Sequence, residues 1–478
     1  MVHTCRHLGI RSQHDRARTG ARIDHLAGLG DCALACRGLV HNLGSTMASV
    51  TKPCGLPRLN TLMSNARISS VGRVDGPLDI VVLGGAPWGD ATNHPAVQTV
   101  RALTGEHRVL YICEDLQGST LRHLLLPKNG RSSAWSSPRV AALSNVFTKM
   151  SSERITDRLW VAPLRGLTRL LPLSYPEPIR TRSAARLSDF IRRETARIGM
   201  QNPILWFYWW FFPELAKLPH AVSVYDNIDD HSAYDHNRRL TFMQRTTRVL
   251  EHRMLRTVDL AYALSPELAS KMQTVHPRMS LQIPGIDAVP VTTALADPQR
   301  PPDMISLTRP LIGYAGQIGN RIDWPLISKL AKSRPEWTFV FVGGQQPSEL
   351  VKSPNIHFLA GRPYPEMMRA IREFDVGVVP WIDSPATRGA YSYKALDYLA
   401  AGKQVISTSL PFSVDLAGHH PKVVTTVSSF DQWDLALAQA LEQSSLASTA
   451  HACVTAAHSR TTTTRAKAIV ADIRASMG

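Results

Sequence analysis

From Leu78 onward the chain alternates apolar runs of strand length with amphipathic stretches of helical length, and it does so twice, on either side of a Pro-rich break at Ala294 to Pro310. Such alternation is the sequence form of a parallel sheet wound with helices, because parallel neighbours need a crossover long enough to hold a helix. Before the break, strands are expected at Asp79–Leu83, Arg108–Ile112, Leu159–Ala162, Ile204–Trp210, Val222–Tyr225, Leu260–Leu264 and Leu281–Ile283, with helices at Ser183–Arg197 and Arg239–Arg256. After it, strands are expected at Leu311–Ala315, Trp337–Val342, Ile356–Leu359, Val376–Pro380, Gln404–Thr408 and Val423–Thr426. Helices fall at Pro325–Ser333, Pro365–Phe374 and Gln432–Gln443, and a last one, Thr464–Ser476, is free to pack back across both halves. The stretch 117–152 has no readable period.

The expected fold class is α/β, with two Rossmann-like domains facing each other across a cleft. Residues 1–75 form a disordered extension, 76–290 an N-terminal domain, 291–310 a linker, 311–455 a C-terminal domain, and 456–478 a helix crossing back. The first segment is rich in Arg, His, Gly and Ser, and Asp31 and Arg37 interrupt its only candidate apolar core for a secretory signal. A translation start at Met47 or Met63 is the expectation that follows.

With 478 residues the chain exceeds one ordinary core. No run approaches the roughly 18 apolar residues of a membrane-spanning helix. The densest patch, Leu205 to Phe212, reads as a buried strand whose end faces a ligand or an interface. A net charge of +16 favours anionic partners. Neither a long Lys/Arg block nor zinc-finger spacing accompanies it, so no specific nucleic acid is expected and an anionic membrane surface remains a candidate partner. Six cysteines, four of them at Cys5, Cys32, Cys36 and Cys54, make no disulfide framework and point to a reducing, cytoplasmic compartment.

One stretch, Tyr391 to Thr408, carries the most chemistry. Ser392 is a good N-cap, Gly402 a good residue just past a helix end, and the residues between favour helix. Lys394 then lies in a first turn, where unpaired N–H groups and the helix dipole attract an anion such as a diphosphate. Asp397, three residues on, shares its face, and a carboxylate there can accept hydrogen bonds from ribose hydroxyls. In an open parallel sheet, ligands sit beyond the carboxyl ends of the strands. The residues at those positions are Gly316 to Arg321, Gly343-Gly344-Gln345, Gly361-Arg362-Pro363 and Pro380-Trp381. Glycines there admit a phosphate close to the backbone, and Arg321 and Lys394 can neutralise it.

Taken in order, these pieces resemble the C-terminal half of GT-B glycosyltransferases, particularly the retaining family-4 type and related teichuronic-acid and exopolysaccharide enzymes. The resemblance runs from about Ile80 to Ala475. In the first half, Gly84-Gly85-Ala86-Pro87-Trp88, Ala221 to His231, Leu264-Ser265-Pro266 and Pro284-Gly285-Ile286-Asp287 resemble family landmarks. What the resemblance implies is a nucleotide bound mainly by the C-terminal domain, with Gly316, Arg321, Gly343, Arg362, Lys394 and Asp397 as its contacts, and an acceptor held by the N-terminal domain. Family-4 enzymes usually carry two glutamates flanking seven residues; here Asp397 stands at the second position and Gly389 at the first. Where many members have His-Asp on the fifth strand, this chain has Tyr225-Asp226.

The activity so implied moves a sugar from a UDP- or GDP-sugar to a glycan or polyprenyl-linked acceptor in cell-surface polysaccharide synthesis. No Asp-x-Asp occurs, so a metal-independent route without cofactor is expected. Candidates for the catalytic base are Asp226 first, then Asp229, Asp230 and His231, all following one strand. The expected location is cytoplasmic, peripheral on the inner face of the cell membrane. Two alternatives stay open: a sugar-nucleotide epimerase of the same fold, and a non-catalytic sugar-nucleotide-binding subunit, for which the missing first glutamate speaks.

Overall fold

Two parallel sheets carry the chain, and each is built by strands that are apolar on both faces. A computed structural model describes residues 76–89, 93–113, 150–164, 177–231, 241–344 and 353–478. The extension 1–75, Gln345 and most of the 117–152 stretch lie outside the described residues.

The first half comprises β1 (Asp79–Leu83), α1 (Pro95–Thr104), β2 (Arg108–Cys113), β3 (Glu153–Thr156), β4 (Leu159–Pro163), α2 (Glu177–Arg197), β5 (Ile204–Phe207), β6 (Ser223–Asn227), α3 (Thr241–Thr257), β7 (Leu260–Ala263), α4 (Pro266–Gln273) and β8 (Met279–Leu281). Its sheet has the order β3-β4-β2-β1-β5-β6-β7-β8, parallel except for the β3–β4 pair. Successive side chains of a strand point to opposite faces, and both faces are covered here. Val81 and Leu83 pack under α2 and α3 with Leu187, Phe190, Leu250 and Met254. Ile80 and Val82 pack under α1 and the last helix with Val97, Val100, Ile469 and Ile473.

The second half follows through α5 (Ala288–Ala296). It runs β9 (Leu311–Ala315), α6 (Trp324–Ser333), β10 (Thr338–Gly343), β11 (Ile356–Ala360), α7 (Tyr364–Arg372), β12 (Val376–Val379), α8 (Pro385–Arg388), α9 (Tyr393–Ala400), β13 (Val405–Thr408), α10 (Pro411–His419), β14 (Val424–Val427), α11 (Phe430–Gln443), α12 (Ala447–His458) and α13 (Thr462–Met477). Its sheet order is β11-β10-β9-β12-β13-β14, all parallel. This is the doubly wound order that reverses direction once, between β9 and β12, and leaves a crevice at their carboxyl ends. The first sheet reverses in the same way, between β1 and β5.

The expected strands all form, with shifts at their ends. The strand expected at Ile204–Trp210, β5, stops at Phe207 because the chain leaves the sheet there; Tyr208 donates to Thr99 Oγ1 at 2.8 Å, and Trp209 Nε1 would lie 2.8 Å from a Cβ on Gly85. The strand expected at Leu281–Ile283 forms two residues earlier. No helix was expected at α1, α4, α5, α8, α10 or α12, and no strand at β3. All four β3 residues are exposed, so no apolar alternation marks them.

The polypeptide crosses between the halves near Gly285 and returns near Thr461, and the two passages pair. Ile286 N–H donates to Arg460 O at 3.0 Å and Thr462 N–H to Ile286 O at 2.9 Å. A Cβ on Gly285 would lie 2.4 Å from the Thr461 carbonyl carbon, so only glycine allows this approach. Beyond that point α13 is fixed to the first sheet by Arg465, which donates to both oxygens of the fully buried Asp226 at 2.8 and 2.6 Å. Trp206 Nε1 adds a third donor at 3.3 Å, and Tyr262 hydroxyl donates to Asp472 at 3.0 Å.

A second buried carboxyl, Glu251 on α3, accepts from Tyr225 hydroxyl at 3.0 Å and Asn227 Nδ2 at 3.2 Å through one oxygen, while the other has no partner among the described residues. Burial pushes its pKa up to about 8.

Two predictions follow from these buried groups. Replacing Arg465 by Met leaves Asp226 buried without its cation and is expected to cost about 3–5 kcal/mol in denaturant unfolding. A raised carboxyl pKa means stability that is full below the unfolded value of 4.5 and is lost as pH climbs through about 8. Glu251→Gln should therefore match the natural protein at pH 4 and exceed it by roughly 2–4 kcal/mol at pH 8. Equal melting temperatures at pH 8 would refute this.

Candidate functional site

The carboxyl ends of both sheets meet at one cleft, and its second-half wall begins at the helix α9. Ser392 occupies the N-cap position with extended backbone, yet its hydroxyl makes no cap bond; it is buried and has no hydrogen-bond partner among the described residues. The far end is closed as the sequence predicts: Gly402 has φ +75°, its N–H donates to Leu399 O, and Lys403 N–H donates to Tyr398 O, both at 2.9 Å. Only glycine takes that left-handed backbone at no cost.

Lys394, in the first turn, lays its stem over Gly316 at the end of β9. A Cβ on Gly316, whose φ is +128°, would lie 2.3 Å from Lys394 Cε. The ammonium stands 5.3 Å from the centre of the Trp381 ring and 5.7 Å from that of Tyr314. It is half-buried and makes no hydrogen bond or ion pair among the described residues. Arg321 approaches the same indole, its guanidinium carbon 5.6 Å from the ring centre, and reaches Asp229 of the first half at 3.8 Å. Arg321, Lys394, Trp381 and Asp229 thus converge from both halves.

Asp397 lies deeper on the same helix. Tyr364 hydroxyl, opening α7, donates to its Oδ1 at 2.7 Å, and Asn93 Nδ2 of the first half donates to its Oδ2 at 3.4 Å. Burial pushes the Asp397 carboxyl up to about 7, against the opposing pull of the Tyr364 bond and the Lys394 charge. Asn93 and Tyr364 went unnoticed in the sequence. The available signal was position: Tyr364 starts a helix directly after Gly361-Arg362-Pro363, and Asn93 just precedes the α1 cap His94, whose Nδ1 accepts from Ala96 N–H at 3.2 Å.

The first-half wall is the loop after β6. Asp229 retains some exposure while protein surrounds it, the situation of a group at the floor of a cleft, and burial raises its pKa to about 6 despite Arg321 nearby. His231 packs obliquely on Trp210 at 5.9 Å, its Nε2 is buried without a hydrogen-bond partner among the described residues, and burial lowers its pKa to about 4, so the ring is neutral at pH 7. Asp230 is engaged by Lys271, whose Nζ donates to both oxygens at 2.7 Å. A Cβ on Gly389 would stand 3.1 Å from Asp230 Cβ and 3.6 Å from Oδ2. The position of the family's first glutamate is therefore abutted by a carboxylate from the other half.

Three residues of the expected set are placed otherwise. Asp226, ranked first as base, has both oxygens taken by Arg465 and no exposure, which leaves it no route to an acceptor hydroxyl. Arg362 pairs with Asp303 on the connecting segment at 2.8 Å; it follows β11, the edge strand, and β10 and β9 lie between that strand and the crevice at β12. The room left at Gly343 is filled by protein, since a Cβ there would fall 1.7 Å from the Gly316 carbonyl oxygen.

Comparisons with known proteins bear on the fold and on the second half of the chain. Residues 309–443 match the family described as Glycosyl transferases group 1. Over 107 residues the chain is 30% identical to a Bacillus subtilis (strain 168) protein named as a teichuronic acid biosynthesis glycosyltransferase, TuaH. That alignment covers 21% of this chain and 27% of the relative, so the chain spans about a quarter of the length of the curated relative it matches. The alpha,alpha-trehalose-phosphate synthase (UDP-forming) of Burkholderia vietnamiensis superposes with a TM-score of 0.57 at 13% identity, covering 84% of this chain and 99% of its own. The corresponding enzyme of Burkholderia xenovorans, in complex with glucose-6-phosphate, gives 0.56 at 11% identity, covering 84% and 100%. At such identities the likeness is one of fold. The chain has the GT-B fold, and residues 309–443 of its second half match the Glycosyl transferases group 1 family.

Proposed function

We propose that this protein is a glycosyltransferase that moves a sugar from a nucleotide-sugar donor, a UDP- or GDP-sugar, to a glycan or polyprenyl-linked acceptor in cell-surface polysaccharide synthesis. One observation carries the reading: at the N-terminus of α9 lie an ammonium with no hydrogen bond or ion pair and a buried hydroxyl with no hydrogen bond among the described residues. Dipole, charge and donors there suit a diphosphate. Glycosyl transfer releases a nucleoside diphosphate, so a site that stabilises this group lowers the barrier to bond breaking. Arg321 and Lys394 supply that charge in a metal-independent route, and Gly316 lets Lys394 lie close to the backbone. Asp397, held by Tyr364, is placed to accept from the ribose. In this reading residues 311–455 hold the donor, 76–290 hold the acceptor, 291–310 link them and 456–478 cross back.

For the base we assign Asp229, which faces Arg321 across the cleft, with the neutral His231 beside it as a hydrogen-bonding group. A carboxylate that titrates near 6 is ionised at pH 7 and can take the proton of an acceptor hydroxyl. The net charge of +16 supports attraction to an anionic membrane surface on its cytoplasmic face, where lipid-linked acceptors reside. No helix of the described residues is long and apolar enough to cross a membrane.

Radiolabelled UDP- and GDP-sugars incubated with and without a lipid-linked acceptor test the assignment. Labelled glycan or lipid is the expected product; isomerised donor would point to an epimerase, and tight donor binding without product to a binding subunit. Lys394→Ala is expected to lower turnover by about 100-fold or more while the melting temperature holds. Because the base must be ionised, kcat/KM is expected to fall as pH drops below about 6 and to level off above it. Asp229→Asn should remove that limb together with about 100- to 10,000-fold of the rate.

A further inference from the structure

Trp381 is 3% exposed, far from ordinary for a residue with two cations on its ring, and its indole is fixed from several sides. Its Nε1 donates to Tyr314 hydroxyl at 3.4 Å, and that hydroxyl donates in turn to Gln317 O at 3.0 Å. Phe412 meets the ring edge-on at 5.7 Å. The backbone is fixed as well. Residues 321–323 and 380–382 pair antiparallel around Ile322 and Trp381, with Ile382 N–H donating to Arg321 O and Asp323 N–H to Pro380 O, both at 2.8 Å. Arg321 and Trp381 therefore move as one piece.

Against this rigid ring stand two long cationic side chains, Arg321 at 5.6 Å and Lys394 at 5.3 Å from the same ring centre. Two like charges gathered at one ring repel each other, and each loses rotamer freedom when held. The electron-rich face of the indole offsets both costs, because a partly desolvated cation is attracted to it. Arg321 also faces Asp229 at 3.8 Å, which draws it toward the first half; the ring opposes that pull.

We propose that Trp381 is the positioning residue that sets phosphate specificity at this site. It holds Arg321 and Lys394 together as one doubly charged seat, so that the cleft prefers a nucleoside diphosphate to the corresponding monophosphate. The inference rests on the nucleotide-sugar reading above and goes beyond it by naming what fixes the spacing of the two cations. A monophosphate engages one cation of the seat at a time and gains little from their spacing; a diphosphate spans both.

Calorimetric titration of UDP, UMP, GDP and GMP into the full chain tests it, using the natural protein, Trp381→Phe, Trp381→Leu, Lys394→Ala and the Trp381→Leu/Lys394→Ala double variant. Trp381→Leu is expected to lose about 10- to 30-fold in diphosphate affinity and less than about 3-fold in monophosphate affinity. Trp381→Phe keeps an aromatic face and should recover to within about 5-fold of the natural diphosphate affinity. In the double variant the losses should fall short of the product of the single ones, since the ring acts through Lys394. Equal losses for mono- and diphosphates, an unchanged ratio in Trp381→Leu, or losses that multiply would each overturn the inference. If Trp381→Leu does not fold, by its melting curve without ligand, Trp381→Phe decides: a diphosphate-to-monophosphate preference reduced about 2- to 5-fold supports the proposal, and an unaltered one refutes it. Absence of any diphosphate binding by the natural protein would instead sink the glycosyltransferase reading itself, a result distinguishable from all the others.

Discussion

The ion pair between Asp226 and Arg465 is the interaction on which the arrangement of the cleft depends. A carboxylate and a guanidinium are both removed from water, and their two short bonds, with Trp206 as a further donor to Asp226 and the Gln282 carbonyl as a further acceptor for Arg465, offset that loss. Asp226 lies on β6, one strand removed from the switch point of the first sheet, and Asp229, Asp230 and His231 follow it directly. Arg465 comes from the last helix. The pair therefore fixes the chain's end to the strand that delivers the first-half wall of the site, and it does so where packing of Ile469 and Ile473 already covers the sheet.

Within the cleft the balance of burial and charge sets the state of each group. Asp229 and Asp397 are raised toward neutrality by their surroundings although cations stand near both, so desolvation outweighs attraction at each. On the cationic side, Lys394 and Arg321 gather at one aromatic ring, and Arg321 faces Asp229 of the first half at 3.8 Å. A surface with this excess of localised positive charge is complementary to a polyanion, and the glycine at position 316 is what allows the charge to lie so near the backbone.

Much of this was legible in the sequence because parallel strands buried on both faces announce themselves as unbroken apolar runs, and because Gly402 and Lys394 mark a helix by its ends. Elements were missed where that signal is weak, as in the exposed strand β3. At the site, local rules placed Lys394 in the first turn of a helix and Arg321 and Asp229 in loops after strands, and the structure has them there. They could not foresee that Asp226 finds a partner 239 residues away, that Arg362 is turned to the connecting segment, or that Gly343 makes room for another carbonyl and not for a ligand. Local pattern fixes which face and which end of an element a residue occupies. Which neighbour consumes its charge is decided by tertiary approach, and this is the part a single chain reading lacks.

The two passages of polypeptide between the halves are stitched to each other where Ile286 pairs with Arg460 and Thr462. A pair of connections joined at a single crossing acts mechanically as a pin. Any rotation of one sheet against the other that keeps those two bonds would turn about the crossing as a clasp turns about its rivet. Side chains at the crossing contact no reactant, yet bulk added at Gly285, where the Thr461 backbone leaves no space, would be felt at the mouth of the cleft.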